Sequence, residues 1–177
     1  AIARRAQDEC CADGLPESRI AMLVPWAEAS GGRVPAEVLA RERAWLANDV
    51  SRGMFLIGSG VQRIAEARFA DAAELLGEGA RRIGDFGSTV EARAWEATAL
   101  RRLAEAVPGW DSAQGKRARA RAERTAAWCV RKSRRCPLSA PHALRELGLL
   151  AAFRGRARLA RRLRPRLYAC AVLQPEY

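Results

Sequence analysis

Residues 141–168 read PHALRELGLLAAFRGRARLARRLRPRLY, and the placing of small residues in this stretch decides the fold. Gly148 follows Leu147, Ala151 stands three positions on, and Ala160 falls twelve after Gly148. Two antiparallel helices reach contact distance only where the crossing positions carry almost no side chain. The spacing therefore predicts a helical hairpin whose arms cross at Gly148. Gly155, between the arms, suits the left-handed backbone that ends a helix.

The same spacing occurs a second time. Residues 58–83, GSGVQRIAEARFADAAELLGEGARRI, keep twelve residues from Gly60 to Ala72, with Phe69 three before that alanine. Both stretches resemble the tetratricopeptide repeat, a helix, tight turn and helix with Leu-Gly-x-x-Tyr on the first arm and small residues at the crossover. The run 141–162 is similar, more narrowly, to helical-repeat regions at the carboxyl end of large bacterial regulators of the protein-kinase or ATPase type. Ala151 and Arg63 stand where the family favours tyrosine, and no proline closes either unit. The copies lie 88 residues apart, which is not a multiple of the family's period.

The resemblance implies an all-α chain of antiparallel hairpins stacked as a right-handed superhelix, whose first helices line a concave surface for a protein or peptide. If Leu144, Gly148 and Ala151, and Leu56 and Gly60, face their partner helices, positions about 100° further round face the groove. These are Arg145, Leu149 and Ala152 in one hairpin, and Met54, Ile57, Val61 and Ile64 in the other. Family members that clasp a peptide carboxylate use lysine and asparagine at such places. Only Arg145 is comparable here, so an apolar groove is the expectation.

Composition agrees with helix. Of 177 residues 49% are apolar and only 6% aromatic. Alanine, leucine and arginine dominate, and these lose little side-chain freedom in a helix. Glycine and proline punctuate four regions: a lead at 1–34, a first hairpin region at 35–87, an extended basic hairpin at 88–136 and a closing hairpin at 137–177, read as one helical-repeat domain. Helices are expected from about 50 to 67, 70 to 83, 88 to 106 and 113 to 134. Ser88-Thr89-Val90-Glu91 reads as a capping box, Asp111 or Ser112 as the next cap, and Ser139 as the cap of the last hairpin.

The net charge of +11 is unevenly placed. Residues 1–87 hold 11 arginines and 13 acids, whereas residues 88–177 hold 20 lysines and arginines and 7 acids. Such asymmetry points to an acidic partner. The alternative to a protein-binding scaffold is thus nucleic-acid binding through Arg117, Arg121, Arg124, Arg131 and Arg135, with the cluster from Arg154 to Arg166. On the leading reading, the basic half is a solvated or intramolecular face and random duplex DNA binds only weakly. A third course is packing against another domain of the same polypeptide.

Little in the chain suits catalysis. His142 is the one histidine, placed in the first turn of a helix, where a surface or interface role is expected rather than that of a base. Five cysteines without a C-x-x-C pair form neither a disulfide framework nor a zinc site, and fit a reducing cytoplasm. The chain is read as non-enzymatic, without metal or cofactor. It has no apolar run long enough to span a bilayer and is expected to be a piece of a longer polypeptide.

Overall fold

The computed structural model describes residues 40, 49–84, 87–107, 111–133 and 139–172, with 87–88 and 166–172 described by backbone alone. The described residues are helical, without a strand among them. They fall into two compact units, one ending at Thr89 and the other beginning at Val90. In the first lie α1 (Asp49–Ala65) and α2 (Phe69–Ile83); α3 (Gly87–Ala106) opens at the junction. The second continues with α4 (Ala113–Lys132), α5 (Ala140–Phe153) and α6 (Ala157–Val172). The predicted lead at 1–34 and Arg135 lie outside the described residues.

Glycine sets how closely α1 and α2 approach. A Cβ on Gly79 would stand 2.8 Å from the Gly53 carbonyl oxygen and 2.9 Å from Ile57 Cγ1, and one on Gly60 would stand 2.5 Å from Leu76 Cγ. Backbone therefore meets backbone along this seam, and side chains flanking it are shut in. Ile57, Val61, Ala72, Leu76, Ala80 and Ile83 are all buried, each large apolar side chain contributing about 1.5–3 kcal/mol. Gly60 and Ala72 take the crossing positions expected of them. Gly53 and Gly79 join them without having been expected there, although the seven-residue step from Gly53 to Gly60 is two helical turns.

Two of the expected groove residues fall on this seam. Ile57 is 1% exposed and Val61 4%, so they are core, while Met54, Leu56 and Ile64 are half-buried. The reason is the glycine face itself: α1 turns Gly53, Ile57 and Gly60 toward α2. Leu56, expected against the partner helix, stands beside α2 at the rim of the contact, lining a shallow surface depression of about 400 Å³ with Leu75, Arg63, Arg68, Asp71, Glu74 and Glu78.

The two hairpins nevertheless share one turn. After α1 the chain passes through Ala67 at φ 58°, with the Ala67 amide donating to Ile64 and the Arg68 amide to Arg63. After α5 it passes through Gly155 at φ 67°, with the Gly155 amide donating to Ala152 and the Arg156 amide to Ala151. These are matching left-handed helix endings, in register at the offset of 88 residues that relates Gly60 to Gly148. Burial does not follow the register: Ile57 and Val61 are buried, but Arg145 and Leu149, 88 residues after them, are exposed.

Gly148 is where the expectation fails. A Cβ built there meets nothing within 4 Å, so it does not stand at a helix crossing. The face of α5 that packs carries Ala143, Leu144, Glu146, Leu150 and Ala151 instead. In the same unit α4 is capped as expected by Ser112, whose hydroxyl accepts from the Gly115 amide at 3.1 Å. It turns Ala118, Ala122, Ala126 and Cys129 inward. Val90 and Ala94 of α3, Cys129 of α4 and Ala143 of α5 close a small core, with Trp128 and Val130 packed against it. Ser139 precedes α5 but its side chain makes no capping hydrogen bond.

These contacts set opposite outcomes for one substitution. Gly148→Ala removes a flexible residue from a helix interior without a clash and is expected to raise stability by about 0.5–1 kcal/mol. Gly79→Ala drives a methyl group onto the Gly53 carbonyl and is expected to cost roughly 1–3 kcal/mol. Urea melts of both variants check this; equal midpoints would place the seam elsewhere.

Candidate interaction surface

A polar framework fixes the second unit before any surface is presented. Glu96 and Glu146 are both fully buried. Glu146 of α5 accepts from Arg101 Nε of α3 at 2.6 Å and from its Nη2 at 3.4 Å, while Arg101 Nη1 donates to Glu105 at 2.7 Å. Arg145 donates to Glu146 from Nη2 at 3.2 Å. Glu96 of α3 accepts from Arg93 at 2.6 Å and from Arg121 of α4 at 2.5 Å. Each carboxylate thus has cations from more than one position, which a buried charge requires.

Burial alone would raise the Glu146 carboxyl, but the Arg101 hydrogen bond and charge, with Arg145 next, hold it below the usual carboxylate range. The Arg101 guanidinium, desolvated yet bonded to Glu146 and Glu105, is shifted upward. His142 is half-buried and takes the interface role expected of it, between α5 and α3. Its ring meets Trp95 edge-on, with centroids 4.5 Å apart, and its Nε2 lies 2.9 Å from Thr98 Oγ1. Burial first, then the Arg145 charge, pushes it down to about 4, so the imidazole is neutral at pH 7. Burial, reinforced by Glu96, pushes the Cys129 thiol up to about 12, and Cys129 donates to the Val90 carbonyl. The Arg93 charge opposes this shift but is outweighed, so the thiol is not poised as a reactive thiolate.

The outer residues divide into two kinds. On α5, Arg145, Leu149 and Phe153 stand four apart on one stripe; the Arg145 side chain is 53% exposed, Leu149 37% and Phe153 51%. Arg145 and Leu149 are at the surface expected of them. Phe153 extends the stripe beyond the expected residues, although its i+4 relation to Leu149 is readable in the sequence. On α4, Arg117, Arg124 and Arg131 are exposed. Arg121 is 44% exposed but serves Glu96, so a residue expected to meet phosphates is part of the interhelix framework. Arg154 and Arg156 similarly pair with Glu123 of α4.

Among the described residues, no three His, Cys, Asp or Glu side chains come together as a metal site. No described helix is long and apolar enough to cross a membrane. Compared with known proteins, the chain matches no family model, no curated protein and no solved structure.

The framework can be tested through charge. Glu146→Leu leaves Arg101 without its buried partner and is expected to cost about 3–5 kcal/mol, whereas the double variant Arg101→Met with Glu146→Leu should recover much of that loss. Additive losses in a double-mutant cycle would show that the pair is not coupled.

His142 gives a separate signature. Its pKa is depressed from 6.5 in the unfolded chain to about 4 in the folded one, so its contribution is complete above pH 6.5 and is lost as pH falls through 4. The expected slope amounts to on the order of 3 kcal/mol across that window. It should flatten in His142→Gln, as read by urea midpoints between those values; an unchanged slope would assign the acid sensitivity elsewhere.

Proposed function

We propose that this chain is a non-enzymatic helical-repeat module that binds a protein or peptide, in the manner of tetratricopeptide-like hairpins within a larger regulatory protein. The observation that carries the reading is the α5 stripe of Arg145, Leu149 and Phe153, two large apolar side chains and a cation held outward on a helix anchored from behind. Hairpins with matching left-handed turns are the kind of unit from which stacked repeats are built. The rigid backing matters, because side chains already fixed lose less freedom on binding.

The expected ligand is an amphipathic helix or extended segment. It would place apolar side chains on Leu149 and Phe153 and an acidic one beside Arg145.

The test offers the full chain a library of amphipathic helical peptides with apolar residues at i and i+4. Selected peptides are expected to weaken about tenfold or more, roughly 1.4 kcal/mol, on Leu149→Asp with Phe153→Asp. Thermal melting and helical circular dichroism should remain as in the parent. Because apolar burial dominates, affinity should change little between about 50 and about 500 mM salt. Peptides that bind the double variant equally well would remove α5 from the interface, and the proposal with it.

A further inference from the structure

Three arginines of α6 are not accounted for by the α5 surface, and the second unit leaves them without counter-charge among the described residues. Residues 90–177 carry 20 lysines and arginines against 7 acids. At least five of those acids are consumed internally: Glu96 by Arg93 and Arg121, Glu105 by Arg101 and Arg102, Glu146 by Arg101 and Arg145, Glu123 by Arg154 and Arg156, and Asp111 by Arg119. From Ala157 to Val172, α6 contains no acid at all. Arg158, Arg161 and Arg162 are exposed and form no ion pair among the described residues.

Their spacing makes them a stripe. Positions i, i+3 and i+4 share one helix face, so three like charges stand within about one turn. Such a row opposes its own helix unless an anion lies on it. On α4, Arg117, Arg124 and Arg131 recur every seventh residue, again on one face and without ion pairs among the described residues. They span about 21 Å of helix. Glu123, the neighbour of Arg124, holds both Arg154 and Arg156 at the entrance to α6. The turn that leads into α6 is therefore tied to the middle of α4.

We propose that this arginine surface docks on the phosphate backbone of duplex DNA, without reading base sequence. The inference is independent of the α5 proposal. Arginine's planar donor fork suits phosphate oxygens, and a duplex strand offers a phosphate about every 3.4 Å, roughly six along the α4 stripe. A lipid surface is the poorer match, because interfacial helices insert an apolar face. Here that face is spent: Leu163 is buried and Leu159 half-buried, in a helix packed on α5. Single strands call for aromatic platforms, and residues 157–165 include none. Trp128 of α4 packs on the core, with the Lys132 ammonium 5.8 Å from its ring centroid.

The experiment measures binding of the full chain to random-sequence duplexes by fluorescence anisotropy, from about 50 to about 200 mM salt. The parent is expected to bind all duplexes alike, with affinity falling steeply as salt rises. Replacing Arg158, Arg161 and Arg162 by Gln should reduce the slope of log affinity against log salt by about 2–3, near 0.9 for each phosphate no longer neutralised. A charge-matched control, Arg52→Gln with Arg68→Gln and Arg81→Gln in the first unit, should leave it unchanged. An unaltered slope in the α6 variant, or an equal reduction in the control, would overturn the assignment. Tighter binding at the same salt to single-stranded DNA, to phosphatidylserine vesicles or to polyglutamate would overturn it equally, each in favour of that partner class.

Discussion

A carboxylate taken out of water must find cations or give up its charge, and Glu96 and Glu146 are both taken fully out of water in the second unit. Their partners come from different helices: Arg121 reaches Glu96 from α4, and Arg101 reaches Glu146 from α3. A rotation of α5 about its axis would strand Glu146, and a slide of α4 would strand Glu96. Apolar contacts among Ala94, Ala143 and Cys129 tolerate small shifts in a way that these paired charges do not. The register of α3, α4 and α5 is therefore set electrostatically, although the volume between them is filled by alanine. Enclosure of His142 in its neutral form follows from the same packing, since the charges of Arg101 and Arg145 beside it oppose a further proton.

The first unit solves the same problem without charge. Between α1 and α2 the fit is made by what is missing: Gly53, Gly60 and Gly79 let Ile83, Leu76 and Ile57 settle into positions that a Cβ would occupy. Ion pairs in this unit, such as Arg82 with Asp49 at 2.9 Å, sit on the outside. Exposed pairs of this kind contribute at most about 1 kcal/mol. One chain thus contains a seam held by shape and a seam held by charge.

The helix limits were legible in the sequence because glycine, proline and the serine cap act locally. Expected bounds of 70–83, 88–106 and 113–134 lie within two residues of those of α2, α3 and α4. The buried faces were less legible. The run MFLIGSGV in α1 is apolar or small nearly all round, so periodicity alone cannot choose the inward side, and the choice fell on the wrong one for Ile57 and Val61. Arg121 read as surface because a charge in isolation belongs there, and Glu96 and Glu146 drew no reading, since the partners of these charges lie 25 and 45 residues away. Spacing could place Arg145 and Leu149 outward. It could not reveal that Gly148 faces open space.

The separation of those charged partners bears on the order in which the chain assembles. Contacts across each hairpin turn join residues close in sequence, and short closures of this kind form quickly. Joining Arg101 to Glu146 closes a loop of 45 residues and strips hydration from both groups, which gains nothing until the helices on either side are in place. The hairpins are then the early species, with their arginines still wet, and the locking of α3 against α5 is the late, cooperative step. A nascent chain emerging in order would hold the glycine seam of α1 and α2 well before Glu146 has been synthesised.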